Sequence, residues 1–154
     1  MGLDMYLNKK TYVGAKYEHR KVKGSISLEA EGKPINIQFN RVSEITEEVG
    51  YWRKANHIHK WFVDNCQDGE DDCREAEVSM VEAKLLLETC KKVKENNQLA
   101  EELLPREEGF FFGGNAYDES YFNDINYTII LMEQVLEENN NEKYLDGIYY
   151  SSSW

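Results

Sequence analysis

Apolar and polar residues alternate from Ser25 to Glu31 and again from Pro34 to Asn40, with Gly32-Lys33 between the two runs. That pattern predicts a β-hairpin in which Ile26, Leu28 and Ala30 face Ile35, Ile37 and Phe39. Leu3 to Leu7 reads as a short first strand, Glu75 to Val78 as a short strand, and Gly147 to Ser151 as a last one. Residues 8–23 are polar and predict no defined element. A period near 3.6 takes over elsewhere. Ser43 caps a predicted helix running to Asp64, although Glu47 comes one residue late for a capping box. Ser79 and Glu82 form a proper capping box, and Val81, Leu85, Leu86, Cys90 and Val93 give the stripe of a second helix that Asn96-Asn97 ends or interrupts. Tyr117 or Asp118 opens a third, with Tyr121, Phe122, Ile125, Ile129, Met132 and Leu136 on its stripe and Asn139-Asn-Asn as its stop. Gly109-Phe-Phe-Phe-Gly-Gly, bounded by glycines, predicts a buried strand or a tight loop.

These elements predict an α+β fold in one domain: a short antiparallel sheet of N-terminal strand, hairpin and C-terminal strand, packed with three helices. A length of 154 residues fits one domain and buries enough surface to fold without a metal or disulfide.

The segment Tyr51-Trp-Arg-Lys-Ala-Asn-His-Ile-His-Lys-Trp-Phe carries the most information. On a helix from Ser43, Ile45, Val49, Trp52, Asn56, His59 and Val63 share one stripe, so Asn56 and His59 sit inside an apolar face. Burying them costs a few kcal/mol unless they find partners. Either they bond to neighbouring backbone or tyrosine, or the face lines a pocket where they orient a ligand or move a proton. His57 and His59 point about 200° apart on a helix, which argues against a shared metal. Trp61 lies opposite the Trp52 stripe and either packs under another element or marks an interface.

The net charge is −11 and it is unevenly spread. Residues 1–63 carry eleven Lys/Arg against seven Asp/Glu; residues 101–154 carry two against twelve. That balance disfavours broad nucleic-acid binding. Lys9, Lys10, Lys16, His19, Arg20, Lys21 and Lys23 cluster in the basic third, as a local anion site or as lysines guarding a sheet edge. The polarity also suits head-to-tail contact in a homo-oligomer. Three cysteines, Cys66, Cys73 and Cys90, with no C-x-x-C spacing, indicate reduced thiols and neither a disulfide framework nor a zinc site. Asp64 to Glu75 matches a calcium loop at its first, fifth, sixth and twelfth positions, but Cys66 stands where an oxygen is wanted, and an acidic turn explains the segment better. Gly113-Gly114 lacks the lysine of a phosphate loop, and Asp118 and Glu119 would repel an anion there. No apolar run is long enough for a membrane span and no charged leader precedes one, so the expected location is the cytoplasm. Tyr6 stands where a myristoylation motif wants Ser or Thr.

Met1-Gly-Leu-Asp-Met-Tyr-Leu, Tyr51-Trp-Arg-Lys-Ala-Asn-x-Ile-His-x-Trp-Phe, Gly109-Phe-Phe-Phe-Gly, Tyr117-Asp118 and the final Ser152-Ser-Trp together resemble a family of small uncharacterised bacteriophage and prophage proteins. The resemblance spans the chain except residues 8–40. It implies an accessory protein made in the cytoplasm of an infected or lysogenic bacterium, acting against host defence by binding a host protein or sequestering a nucleotide signal.

Three functional expectations follow. The first is a non-catalytic binder of a small molecule, such as a nucleotide-type signal, through Trp52, Arg53, Asn56, His59, Tyr117 and Tyr121, with no cofactor. The second is an acidic antagonist of a host protein, presenting Trp61, Tyr149, Tyr150 and Trp154. The third is a small enzyme using His59 as acid or base with Asn56 orienting it.

Overall fold

The structure, a computed structural model, describes residues 2–14, 16–109, 111–139 and 146–154. Met1, Phe110 and Asn140-Asn141, which figure in the readings above, lie outside that range. The fold is α+β. A four-stranded antiparallel sheet has the order β4-β1-β6-β5, with β1 at Asp4–Tyr12, β4 at Glu44–Arg53, β5 at Ala76–Glu77 and β6 at Asp146–Ser153. Helices α1 (Asn56–Cys66), α2 (Met80–Glu95) and α4 (Glu119–Glu138) pack on one side, with a single-turn α3 at Ala100–Leu103.

β1 is central. Leu3, Met5 and Leu7 are fully buried, as the period of two along a strand requires when one face meets helices. From the flanking strands Trp52, Ile148 and Tyr150 join them, and Phe62, Leu86, Ile125 and Met132 close the core from the helices. Each such side chain contributes about 1.5–3 kcal/mol on burial.

Two sequence readings change. The helix predicted from Ser43 starts at Asn56, and the residues before it form β4. β-branched Ile45, Thr46 and Val49 and aromatic Tyr51 and Trp52 favour a pleated surface, and Gly50 disfavours a helix interior. The strand turns into the helix at Lys54, which adopts a left-handed φ of 57°. Ser43 caps nothing; its carbonyl accepts the Val13 N–H where the β1–β4 ladder ends. The predicted hairpin forms, but as β2 (Leu28–Ala30) and β3 (Lys33–Ile35) in a separate two-stranded sheet. Glu31 and Gly32 both take positive φ, the requirement of a tight primed turn. Leu28 pairs with Ile35, and both are 46% exposed, so the hairpin adds nothing to the core.

The remaining elements stand where the pattern puts them, except that β1 runs on through the polar stretch to Tyr12, paired on both sides, and a 3-10 turn forms at Glu18–Arg20. Ser79 and Glu82 form the reciprocal capping box of α2, and the Asp118 side chain caps α4 by accepting the Tyr121 N–H. The glycine-bounded aromatic segment is a loop: Phe112 N–H closes a turn on the Gly109 carbonyl, and the Phe111 carbonyl accepts the Leu3 N–H. Of the basic cluster, Lys9 and Lys10 stand on β1 and not on a sheet edge. β1 lies between two strands, where Lys9 pairs with Asp146 and Lys10 with Glu75. Among the described residues no helix is long and apolar enough to cross a membrane.

At Gly50 α4 presses close against the sheet. A Cβ there would lie 2.2 Å from Leu131 Cδ2, and Leu131 is itself buried. Gly50→Ala is expected to destabilise the fold by about 1–3 kcal/mol through overpacking, read as a lower midpoint in urea with an unchanged slope.

Candidate functional site

Helix α1 enters the core with a polar first turn, and each polar side chain there has a separate set of partners. Asn56 is fully buried. Its Oδ1 accepts the Glu107 N–H at 3.2 Å, and its Nδ2 donates to the carbonyls of Phe112 at 3.0 Å and Gly114 at 3.2 Å. The amide thereby ties both limbs of the 105–117 loop to the start of α1. With three of its four hydrogen-bonding positions occupied by backbone, it acts as a clamp.

His59 faces the sheet and is also fully buried. Its Nδ1 lies 2.6 Å from the Tyr150 hydroxyl and its Nε2 lies 2.9 Å from Asp71 Oδ2. Burial, and then the Asp71 charge, hold the Tyr150 phenol well above its ordinary range, so it stays protonated and donates to Nδ1. The Nε2–H then donates to Asp71, whose other oxygen accepts the Trp154 indole N–H at 3.2 Å. This chain of bonds resembles a catalytic relay in composition, but its phenol end is sealed: Tyr150 is fully buried and stacks on Phe62 with centroids 4.1 Å apart. Its evident effect is to fasten the acidic 67–75 turn to the sheet.

His57, on the opposite side of α1, belongs to a third group. The ring stacks on Tyr121 with centroids 4.1 Å apart, and Nδ1 faces Arg106 Nη1 at 3.4 Å. A guanidinium only donates, so Nδ1 accepts and Nε2 carries the proton. That Nε2–H is buried without a hydrogen-bond partner; the nearest carboxylate, Asp124, is 3.9 Å away. Burial, and then the Arg106 charge, push the imidazole well below its usual range. Burial also pushes the Asp124 carboxyl up, to about 6, against the opposing pull of Arg106. The Arg106 side chain is 7% exposed, donates to the Ala116 carbonyl and lies 5.1 Å over the Tyr121 ring.

His57 also stands at the wall of a cleft of about 340 Å³ between α1, α2 and α3. Trp61, Leu85, Leu103, Leu104 and Pro105 form its apolar lining. Its charged groups are Lys60, Asp64 and Glu102, and Lys60 is already paired with Asp64 at 3.0 Å. A volume of this size falls at the lower end of small-molecule sites.

The residues singled out from the sequence do not converge. Trp52 is buried in the core, with its indole N–H on Thr128 Oγ1 at 2.9 Å. Arg53 is exposed at the end of β4, 3.9 Å from Asp4. Tyr121 is buried with its hydroxyl on the Leu104 carbonyl at 2.8 Å, and the Tyr117 hydroxyl accepts the Arg106 N–H. His59 and Asn56 form the two clusters already described, neither of them lining the cleft. The helix points His57 and His59 at different partners, as their spacing requires. The calcium-like turn directs its carboxylates to other side chains: Asp64 to Lys60, Asp71 to the His59 imidazole, and Asp68, Glu70 and Asp72 to Arg74. Burial pushes the Cys66 and Cys90 thiols up to about 12, which leaves both un-ionised at neutral pH. Sequence reasoning missed Arg106, Asp124 and Asp71. Arg106 had a signal: apart from Lys143 it is the one cation in residues 101–154. Asp124 and Asp71 had none, being two among 29 acidic residues. Compared with protein-family models, curated proteins and solved structures, the chain matches none.

Two expectations follow from this geometry. Asn56→Ala strands three backbone groups and is expected to cost about 2–4 kcal/mol, with limited proteolysis opening first between residues 105 and 117. The two shifted groups also give pH dependences of opposite sign. The native state holds a proton on Asp124 that the unfolded chain loses between about pH 4 and 6, so this group's contribution to stability falls as pH rises through that window. His57 stays neutral in the fold while the unfolded chain binds its proton below about pH 6.5, so its contribution falls as pH drops. Thermal midpoints of wild type and Asp124→Asn should therefore diverge in the variant's favour between pH 4 and 6; parallel curves would contradict the assignment.

Proposed function

We propose that the chain is a phage- or prophage-encoded accessory protein that acts against host defence by binding a small molecule without turning it over, in the cleft between α1, α2 and α3. The observation that carries this reading is the cleft itself, where Trp61, Leu85 and Leu103 stand beside Lys60, Asp64 and Glu102 with His57 at the wall. The sequence resemblance supports the accessory role.

The cleft composition refines the ligand class. The one lysine is neutralised by Asp64, and Glu102 adds negative charge, so phosphate groups are poorly matched. Trp61 and the leucines suit a flat or apolar body that carries a hydrogen-bond acceptor. A free base or nucleoside fits these requirements better than a nucleotide. Turnover has less support, because the cleft lies beside His57 and the His59 relay ends on a sealed phenol.

Adenosine and its 5′-monophosphate are the first probes, read by isothermal titration calorimetry. Adenosine is expected to bind, the monophosphate at least about tenfold more weakly. Leu85→Trp fills the cleft from a 46%-exposed position and should abolish binding while the melting temperature is kept. Failure of free bases and nucleosides alike to bind, or binding that survives Leu85→Trp, would overturn this reading. The reading of the chain as a protein antagonist is favoured by a different feature, the acidic margin of β4.

A further inference from the structure

β4 lies at one side of the four-stranded sheet, and only its inner margin is paired, with β1. Among the described residues no strand meets its outer margin. At the far end the Tyr127 hydroxyl accepts the Tyr51 N–H, and from Glu44 to Glu48 the strand is exposed. Such a margin alternately offers N–H and C=O groups and is a template for an added strand.

The charges on β4 select what can be added. Glu44, Glu47 and Glu48 place three carboxylates within five residues. The register sets Lys9 across from Glu47 and Lys10 across from Thr46, but Asp146 and Glu75 hold those lysines. None of the three glutamates forms an ion pair within 4 Å of another described residue; Glu44 accepts a hydrogen bond from Thr46, and its charge also acts on Lys10, which Glu75 holds. A second copy pairing antiparallel along the same margin would set glutamates against glutamates, which is destabilising. An uncharged strand would bury this charge without compensation. Both occupants are disfavoured, while a basic strand gains at every glutamate. Ile45, 36% exposed within the same stretch, adds apolar contact.

We propose that the outer margin of β4 accepts an extended Lys/Arg-rich segment of a partner protein as a fifth strand, with Glu44, Glu47 and Glu48 pairing its basic side chains. This surface is separate from the α1–α2–α3 cleft, so each can fail without the other.

The test uses fluorescence anisotropy with a labelled synthetic peptide alternating Lys and Val, and a second peptide of equal charge with Pro at alternate positions, which cannot pair as a strand. The intact chain is expected to bind the first saturably and the second at least about tenfold more weakly, with affinity falling as salt rises. Glu47→Lys/Glu48→Lys should reduce binding about tenfold or more. Should that variant fail to fold, Glu47→Gln/Glu48→Gln supplies the same comparison. Hydrogen exchange on the wild-type protein should show amides of residues 44–49 slowing when the Lys–Val peptide is added. Equal binding of both peptides, no saturable binding, no protection of residues 44–49, or self-association through β4 in sedimentation would each overturn the proposal.

Discussion

The Asn56 side chain holds three backbone groups that no other element reaches. It fastens the 105–117 loop to α1 beside the Arg106–His57 and Phe112–His59 contacts, and that loop carries Arg106. Arg106 in turn sets the tautomer of His57 by donating to its Nδ1 and lies over the Tyr121 ring that stacks on the imidazole. One buried amide therefore determines the position of a guanidinium, the proton on an imidazole and one wall of the cleft. Fully bonded polar groups in a core are costly to disturb, because each lost partner leaves another group unsatisfied.

The first turn of α1 also keeps its polar side chains apart. Asn56, His57 and His59 are successive enough in sequence to suggest a shared site, yet the helix sends them to a loop, to an Arg–Asp–Tyr cluster and to a Tyr–Asp pair. Two of the three sets are complete. The incomplete one, at His57, borders the open cleft, and this contrast separates a structural histidine from one with capacity to spare.

Much of the fold was legible in the sequence, and the site was not. Ser79-x-x-Glu82 and Asp118 announced their helices because caps act locally, through side chains one turn from the groups they satisfy. β4 was misread because its apolar residues fall at spacings that suit a helical stripe, and only pairing with β1 favours the strand. Gly50 inside the supposed helix was the residue that argued otherwise. The hairpin was read correctly as a local unit, but local alternation cannot say which sheet a hairpin joins. The polar face at Asn56 and His59 was detected, and the partners that decide its meaning lie 12 to 91 residues away along the chain. No spacing rule reaches that far.

The central position of β1 has a consequence for how the chain acquires its structure. Its partner on one side, β4, follows within the first third of the sequence, whereas its partner on the other, β6, is the final strand. During synthesis β1 and β4 can pair early, but the second margin of β1 must wait for β6, more than 130 residues after β1. Closing so long a loop is slow, and an unpaired inner strand is prone to pairing with another chain. Lys9 lacks its Asp146 partner until β6 is made, and its charge discourages another chain from adding to the exposed margin. The lysine that closes an ion pair in the finished sheet thus guards its open margin beforehand.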